Sequence, residues 1–127
     1  MELKNRSQYL DKLISVQDME VIKVVTGIRR CGKSSLLKLM MAHLREQGAA
    51  EEQILSMNFE SMQFADMDSK SLYQYVMERA PKEKRLYLFL DEVQKVRDWQ
   101  DAVNSFRVDL DCDIYVTGSN AYLLSSE

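Results

Sequence analysis

Val21-Ile22-Lys23-Val24-Val25-Thr26 runs straight into Gly27-Ile28-Arg29-Arg30-Cys31-Gly32-Lys33-Ser34, followed by Ser35-Leu36-Leu37. The first six residues are mostly β-branched and read as a strand. Gly27 breaks the run. From Lys33 to about Glu46 the apolar residues Leu36, Leu37, Met40, Met41 and Leu44 recur at helical spacing, and Gly48 is a plausible stop. Residues 27–34 match GxxxxGK[ST] at every fixed position, between a strand and a helix, which is the setting that gives the pattern meaning. Gly27 and Gly32 permit backbone angles that let successive N–H groups turn inward around phosphate oxygens. Lys33 brings a compact cation to the β- and γ-phosphates, and Ser34 offers a hydroxyl to Mg²⁺. The helix adds its positive dipole end and unpaired N–H groups. Ile28, Arg29, Arg30, Cys31 and Ser35 complete the candidate nucleotide-binding stretch. A glycine-bearing turn that binds nothing is the bland alternative.

Outward from this loop the chain alternates short apolar runs with amphipathic ones. Residues 7–16 read as a short helix, with Tyr9, Leu10, Leu13 and Ile14 on one face. Residues 53–59 and 113–118 read as strands, and 85–90 as a nearly continuous apolar strand of the kind buried on both faces of a parallel sheet. A helix is expected over 69–79, with Pro81 beyond its end. Asp98 is expected to cap another helix, in which Trp99, Ala102, Val103 and Phe106 follow the i, i+3, i+4, i+7 template. Strands separated by helices mean βαβ units, a parallel sheet and an α/β fold.

Leu90 is followed by Asp91-Glu92. Ligands in open α/β sheets bind at the carboxyl ends of strands. Asp91 there can hold Mg²⁺, through a water, and Glu92 can orient or deprotonate an attacking water. A polar loop start that merely solvates the strand end is the simpler reading. Thr117-Gly118-Ser119-Asn120 ends the last strand, where a hydroxyl or amide can bond the γ-phosphate or the lytic water; ordinary turn residues look the same. Asn58 and Glu60 point toward the same edge. Arg29 and Arg30 face phosphate, face a neighbouring subunit, or are solvated. Cys31, just before a helix N-terminus and near Arg30 and Lys33, has the setting of a reactive thiol. Cys112 reads as a small buried filler, His43 as an exposed helix residue without metal-spaced partners, and Trp99 as core. Arg6 and Tyr9 either border an adenine or are a solvated arginine and a packed ring.

The 127 residues fit one domain, with an ordinary globular composition of 46% hydrophobic and 29% charged residues. No apolar run approaches the ~20 residues of a membrane span, and the N-terminus lacks a signal-peptide core. Two cysteines without an export signal point to free thiols in a reducing cytoplasm. Residues 1–50 hold nine Lys/Arg against five Asp/Glu, and residues 51–127 hold eight against fifteen. The basic first part suits an anionic ligand, while the net charge of −3 argues against a general nucleic-acid binder.

Residues 24–37, Tyr87–Gln94 with Trp99 following, and Val116–Asn120 with Leu123-Leu124-Ser125 together resemble the prokaryotic AAA-superfamily ATPases of the GxRRxGKSxLL branch. The likeness covers the chain from about Tyr9 onward. It implies a P-loop NTPase three-layer sandwich, its five-stranded parallel sheet ordered 5-1-4-3-2, with ATP and Mg²⁺ as cofactors. By the same likeness Lys33 and Ser34 bind phosphate and metal, Asp91 supports the metal, Glu92 is the catalytic base, and Ser119 or Asn120 fills the polar sensor position, with Thr117 a further candidate. Relatives of this kind are longer. Residues 1–127 therefore look like a partial nucleotide-binding domain that lacks the fifth strand and an arginine-bearing segment. Such a chain leaves the edge of residues 21–26 open to self-association. Slow Mg-dependent ATP hydrolysis is the expected activity. A nucleotide-binding switch without turnover and a small-molecule kinase are the alternatives; the Asp91-Glu92 pair and the lack of room for an acceptor lid weaken the kinase, and no NKxD-like motif points to GTP.

Overall fold

The computed structural model describes residues 10–15, 17, 22–25 and 30–118, the side chains of residues 30–34 excepted. Helix α1 (residues 10–15) leads to β1 (Lys23–Val25) and α2 (Arg30–Glu46). Then follow β2 (Ile54–Asn58), α3 (Ser69–Arg79), β3 (Leu86–Asp91), α4 (Trp99–Asp109) and β4 (Cys112–Thr117). The four strands make one parallel sheet in the order β1-β4-β3-β2. That is the order implied by the family likeness for the first four strands.

Side-chain alternation along the strands sorts the core into two layers. Val25, Phe89 and Tyr115 face α2, whose Leu36, Leu37, Met40, Met41 and Leu44 are all buried, and Leu13 of α1 joins them. On the other face Leu86, Leu88, Leu90, Ile114, Val116 and Met57 pack against Leu72 and Val76 of α3 and Trp99, Ala102, Val103 and Phe106 of α4. The strands β3 and β4 lie between both layers, which is why Leu86–Leu90 is a continuous apolar run and β4 is buried along almost its whole length. Phe89 and Tyr115, cross-strand neighbours, stack with ring centroids 4.8 Å apart.

Local chemistry fixes the element ends. Asp68 caps α3: its Oδ1 accepts from the Ser71 amide at 2.9 Å, and Ser71 Oγ accepts from the Asp68 amide at 3.0 Å. Gly48 ends α2 at φ 101°, with open space where a Cβ would sit, so the backbone angle alone calls for glycine.

Two expectations need correction. Helix α2 begins at Arg30, three residues before Lys33, so Gly32 falls inside its first turn. One glycine costs a helix only about 1 kcal/mol, too little to delay its start. Asp98 precedes α4 but does not cap it with its side chain. Its backbone is left-handed, at φ 58° and ψ 36°, whereas a capping side chain needs an extended backbone to reach back over the first turn. The preceding residue, Arg97, is held by a bridge to Asp68, and Asp98 makes the turn from there into the helix. Among the described residues no helix is long and apolar enough to cross a membrane.

Candidate functional site

The carboxyl ends of β1, β4, β3 and β2 form one edge, and register fixes what stands there. Val25 pairs with Thr117, Leu90 with Val116, and Asn58 with Asp91. Asp91 and Thr117 each lie two residues beyond the stacked Phe89 and Tyr115, so they share the face that α2 covers. Only positions 26–29 separate the end of β1 from the start of α2. Four residues span at most about 18 Å, so the first turn of α2 lies at this same sheet edge. Its free N–H groups and dipole make that edge suited to anions.

Asp91 and Glu92 are each 6% exposed. Burying carboxylates demands partners, and one threonine holds the Asp91 carboxylate and the Glu92 backbone together. Thr117, fully buried, donates its hydroxyl proton to Asp91 Oδ1 and accepts from the Glu92 amide at 2.9 Å. The Asp91 carbonyl in turn accepts from the Phe59 amide at 3.0 Å, tying the strand end to the chain beyond β2. Glu92 is left-handed, at φ 59° and ψ 51°, a costly angle for a residue with a side chain. From Glu92 the chain enters a single 3-10 turn, Val93–Lys95, closed by Lys95 N to Glu92 O and Val96 N to Val93 O. Val93 and Val96 are buried in the α3–α4 layer and anchor that turn. Gln94, between them, donates from Nε2 to Glu92 Oε1 at 2.8 Å. Gln94 Oε1 is closed off from solvent and has no hydrogen-bond partner among the described residues.

Asn58 is the register partner of Asp91, and its Oδ1 accepts from the Glu60 amide at 3.0 Å. Gly27, Ile28, Arg29, Ser119, Asn120, Arg6 and Tyr9 lie outside the described residues, as do the side chains of Arg30, Cys31, Lys33 and Ser34, and of Gly32 only the helical backbone is described. Ser35 is described, half-buried on α2. No cluster of three or more His, Cys, Asp or Glu that could hold a metal ion exists among the described residues, and His43 is half-buried rather than exposed. Cys112 packs against the α3–α4 layer, and burial pushes its thiol up to about 11.

Sequence reasoning missed two features. One is Gln94, whose role depends on the left-handed turn at Glu92. The other is a polar group inside the α2 layer: Lys23, 4% exposed, pairs with Asp113, 1% exposed, whose Oδ2 accepts from the Tyr115 hydroxyl at 2.7 Å. The Lys23 ammonium also lies 5.5 Å from the Tyr115 ring centre. The available signal was a lysine inside a β-branched run, matched by an acid two residues before a strand tyrosine.

The sequence profile of a family described as AAA domain matches residues 20–127. The chain is similar to an uncharacterized protein of Haemophilus influenzae, 43% identical over 125 residues, covering 97% of this chain and 31% of that protein. It is also similar to the uncharacterized protein MJ1544 of Methanocaldococcus jannaschii, 26% identical over 129 residues, covering 100% of this chain and 28% of the relative. The chain thus spans less than a third of the length of these curated relatives. No solved structure matches it significantly.

Proposed function

The chain belongs to the AAA domain family, and from that premise we propose that residues 1–127 bind Mg-ATP at the carboxyl edge of the sheet and hydrolyse it slowly. Belonging to the family makes it an ATPase-like nucleotide-binding domain; turnover, metal and residue roles are our reading. The observation that carries this reading is the buried Asp91–Thr117–Glu92 arrangement on the face shared with the first turn of α2. Two acids held 6% exposed beside a helix N-terminus make sense where a cation and a polyphosphate are to be accommodated together.

The donor set fits Mg²⁺. Mg²⁺ takes oxygen ligands, retains waters and needs only one or two carboxylates beside the phosphates. Asp91 and the Ser34 hydroxyl are residues that would hold it. When bound, the ion would neutralise charge on the β- and γ-phosphates. The amides of residues 27–33 and the Lys33 ammonium cradle the phosphates. Glu92 orients the attacking water and takes its proton as the water oxygen bonds to the γ-phosphorus and the bond to the ADP oxygen breaks. Thr117 keeps both acids in place, and Ser119 or Asn120 contacts the γ-phosphate. Adenine nucleotide is the ligand and the cytoplasm the compartment.

A phosphate-release assay with calorimetry tests this. Wild type should bind ATP with Mg²⁺ and release phosphate slowly. Glu92→Gln should retain binding and lose release by about 10²-fold or more. Lys33→Ala should lose binding. Binding without release in wild type makes the domain a nucleotide switch; phosphate transferred to an added metabolite makes it a kinase. Absence of binding removes the proposal altogether.

A further inference from the structure

We propose that Gln94 is a positioning residue of this site, which fixes the Glu92 carboxylate through its amide and accepts a hydrogen bond from the attacking water with its carbonyl. The inference rests on the ATPase reading above and adds a residue to it.

Three observations meet at Gln94. Its Nε2 lies 2.8 Å from Glu92 Oε1 as donor, so it sets where that carboxylate points. The backbone under both residues is constrained: Glu92 is left-handed, and the 3-10 turn after it is anchored by the buried Val93 and Val96. Finally, Gln94 Oε1 is buried without a partner among the described residues. A glutamine kept only for structure would have both ends bonded, because an unpaired buried acceptor costs about 1–3 kcal/mol. Here one end is engaged on the proposed base and the other stands open.

The chemistry of the open end narrows what it takes. A carbonyl oxygen accepts, so its ligand is an N–H or O–H donor. Among the described residues no donor reaches the atom, which leaves it for a donor of the loaded site. The proposed reaction brings one such group to Glu92, namely water. Glu92 takes one of its protons during attack, and the second proton stays on the oxygen that becomes part of the phosphate. Gln94 Oε1 accepts a hydrogen bond from that second O–H and so aims the lone pair at the γ-phosphorus. No proton is transferred to Gln94. Orientation by two acceptors restricts the water more than one can, which is where such a residue contributes to rate.

The test compares Gln94→Met, which keeps the volume and removes both polar atoms, with wild type in the full chain. Calorimetry with Mg²⁺ is run with ADP alone and with ADP plus aluminium fluoride, which occupies the place of the phosphoryl group and organises the attacking water. Wild type should bind ADP·AlF₄⁻ about a hundredfold more tightly than ADP. Gln94→Met should stay folded, bind ADP equally well and lose about tenfold of that preference. In turnover its kcat should fall while KM stays. If Gln94→Met does not fold, Gln94→Ser carries the same expectation. An unchanged preference for ADP·AlF₄⁻ in the variant overturns the proposal, as does a wild type without that preference; ADP binding in the latter case leaves the nucleotide site standing. No nucleotide binding at all removes the site and this inference together.

Discussion

The Lys23 ammonium and the Asp113 carboxylate are almost entirely shielded from water, on adjacent strands and 90 residues apart in the chain. A charge moved into the interior loses its hydration, and the partner returns that loss only while both are present. Asp113→Ala should therefore destabilise the fold by about 3–5 kcal/mol. Lys23→Met combined with Asp113→Leu should cost much less, because neither charge then remains. Urea unfolding of the three proteins checks both statements, and equal losses in the single and double variants would contradict them. The pairing of Lys23 with Asp113 does not announce itself in the sequence, since an ion pair between distant strands leaves no periodic trace. Asp91 and Glu92 do, because they close an apolar strand in a chain that also carries a phosphate-loop pattern. Thr117 stood out as one polar residue among four at a strand end. Its bonds to both acids needed the β3–β4 register to be seen.

Among the elements, α3 was readable to its ends: the expected helix over 69–79 with Pro81 beyond agrees with Ser69–Arg79, while the Asp68 cap that starts it came only with the structure. The start of α4 was readable in position but not in cause, because an aspartate before a helix looks the same whether it caps or turns. Asp68 also supplies a pH test. The Ser71 amide, then the Ser71 hydroxyl, then the charge of Arg97 hold its carboxyl below the ordinary 3.8. A carboxyl depressed in the folded state adds stability that is fully present above its unfolded pKa. That stability is lost as pH falls from there through the folded pKa. Asp68→Asn keeps a capping side chain without the titration. Its melting temperature should fall less steeply than that of wild type below about pH 4, measured by circular dichroism from neutral to strongly acidic buffer. Parallel curves would show that the cap owes nothing to charge.

For the whole molecule, the four-strand order leaves β1 at one edge of the described sheet. Val24 of that strand is 48% exposed. An apolar edge with free backbone groups pairs with another strand when one is offered. We expect concentration-dependent self-association of this chain through residues 21–26, read by sedimentation. Val24→Lys should shift it toward monomer, since lysine on an edge discourages pairing. A monomer at all concentrations would refute this. The α/β class, the parallel sheet and the identity of the buried faces were legible because apolar periodicity records them directly. Which acid bonds which hydroxyl was not, because that depends on register between strands far apart in sequence.

The stacked rings of Phe89 and Tyr115 bear on genetics. Each lies two residues before a member of the Asp91–Thr117 pair, so a change that loosens the stack is expected to shift that pair. A collection of inactivating alleles would then include changes at these aromatic positions that never touch ligand. Heat-sensitive phenotypes would gather there, mimicking lesions in the pair itself.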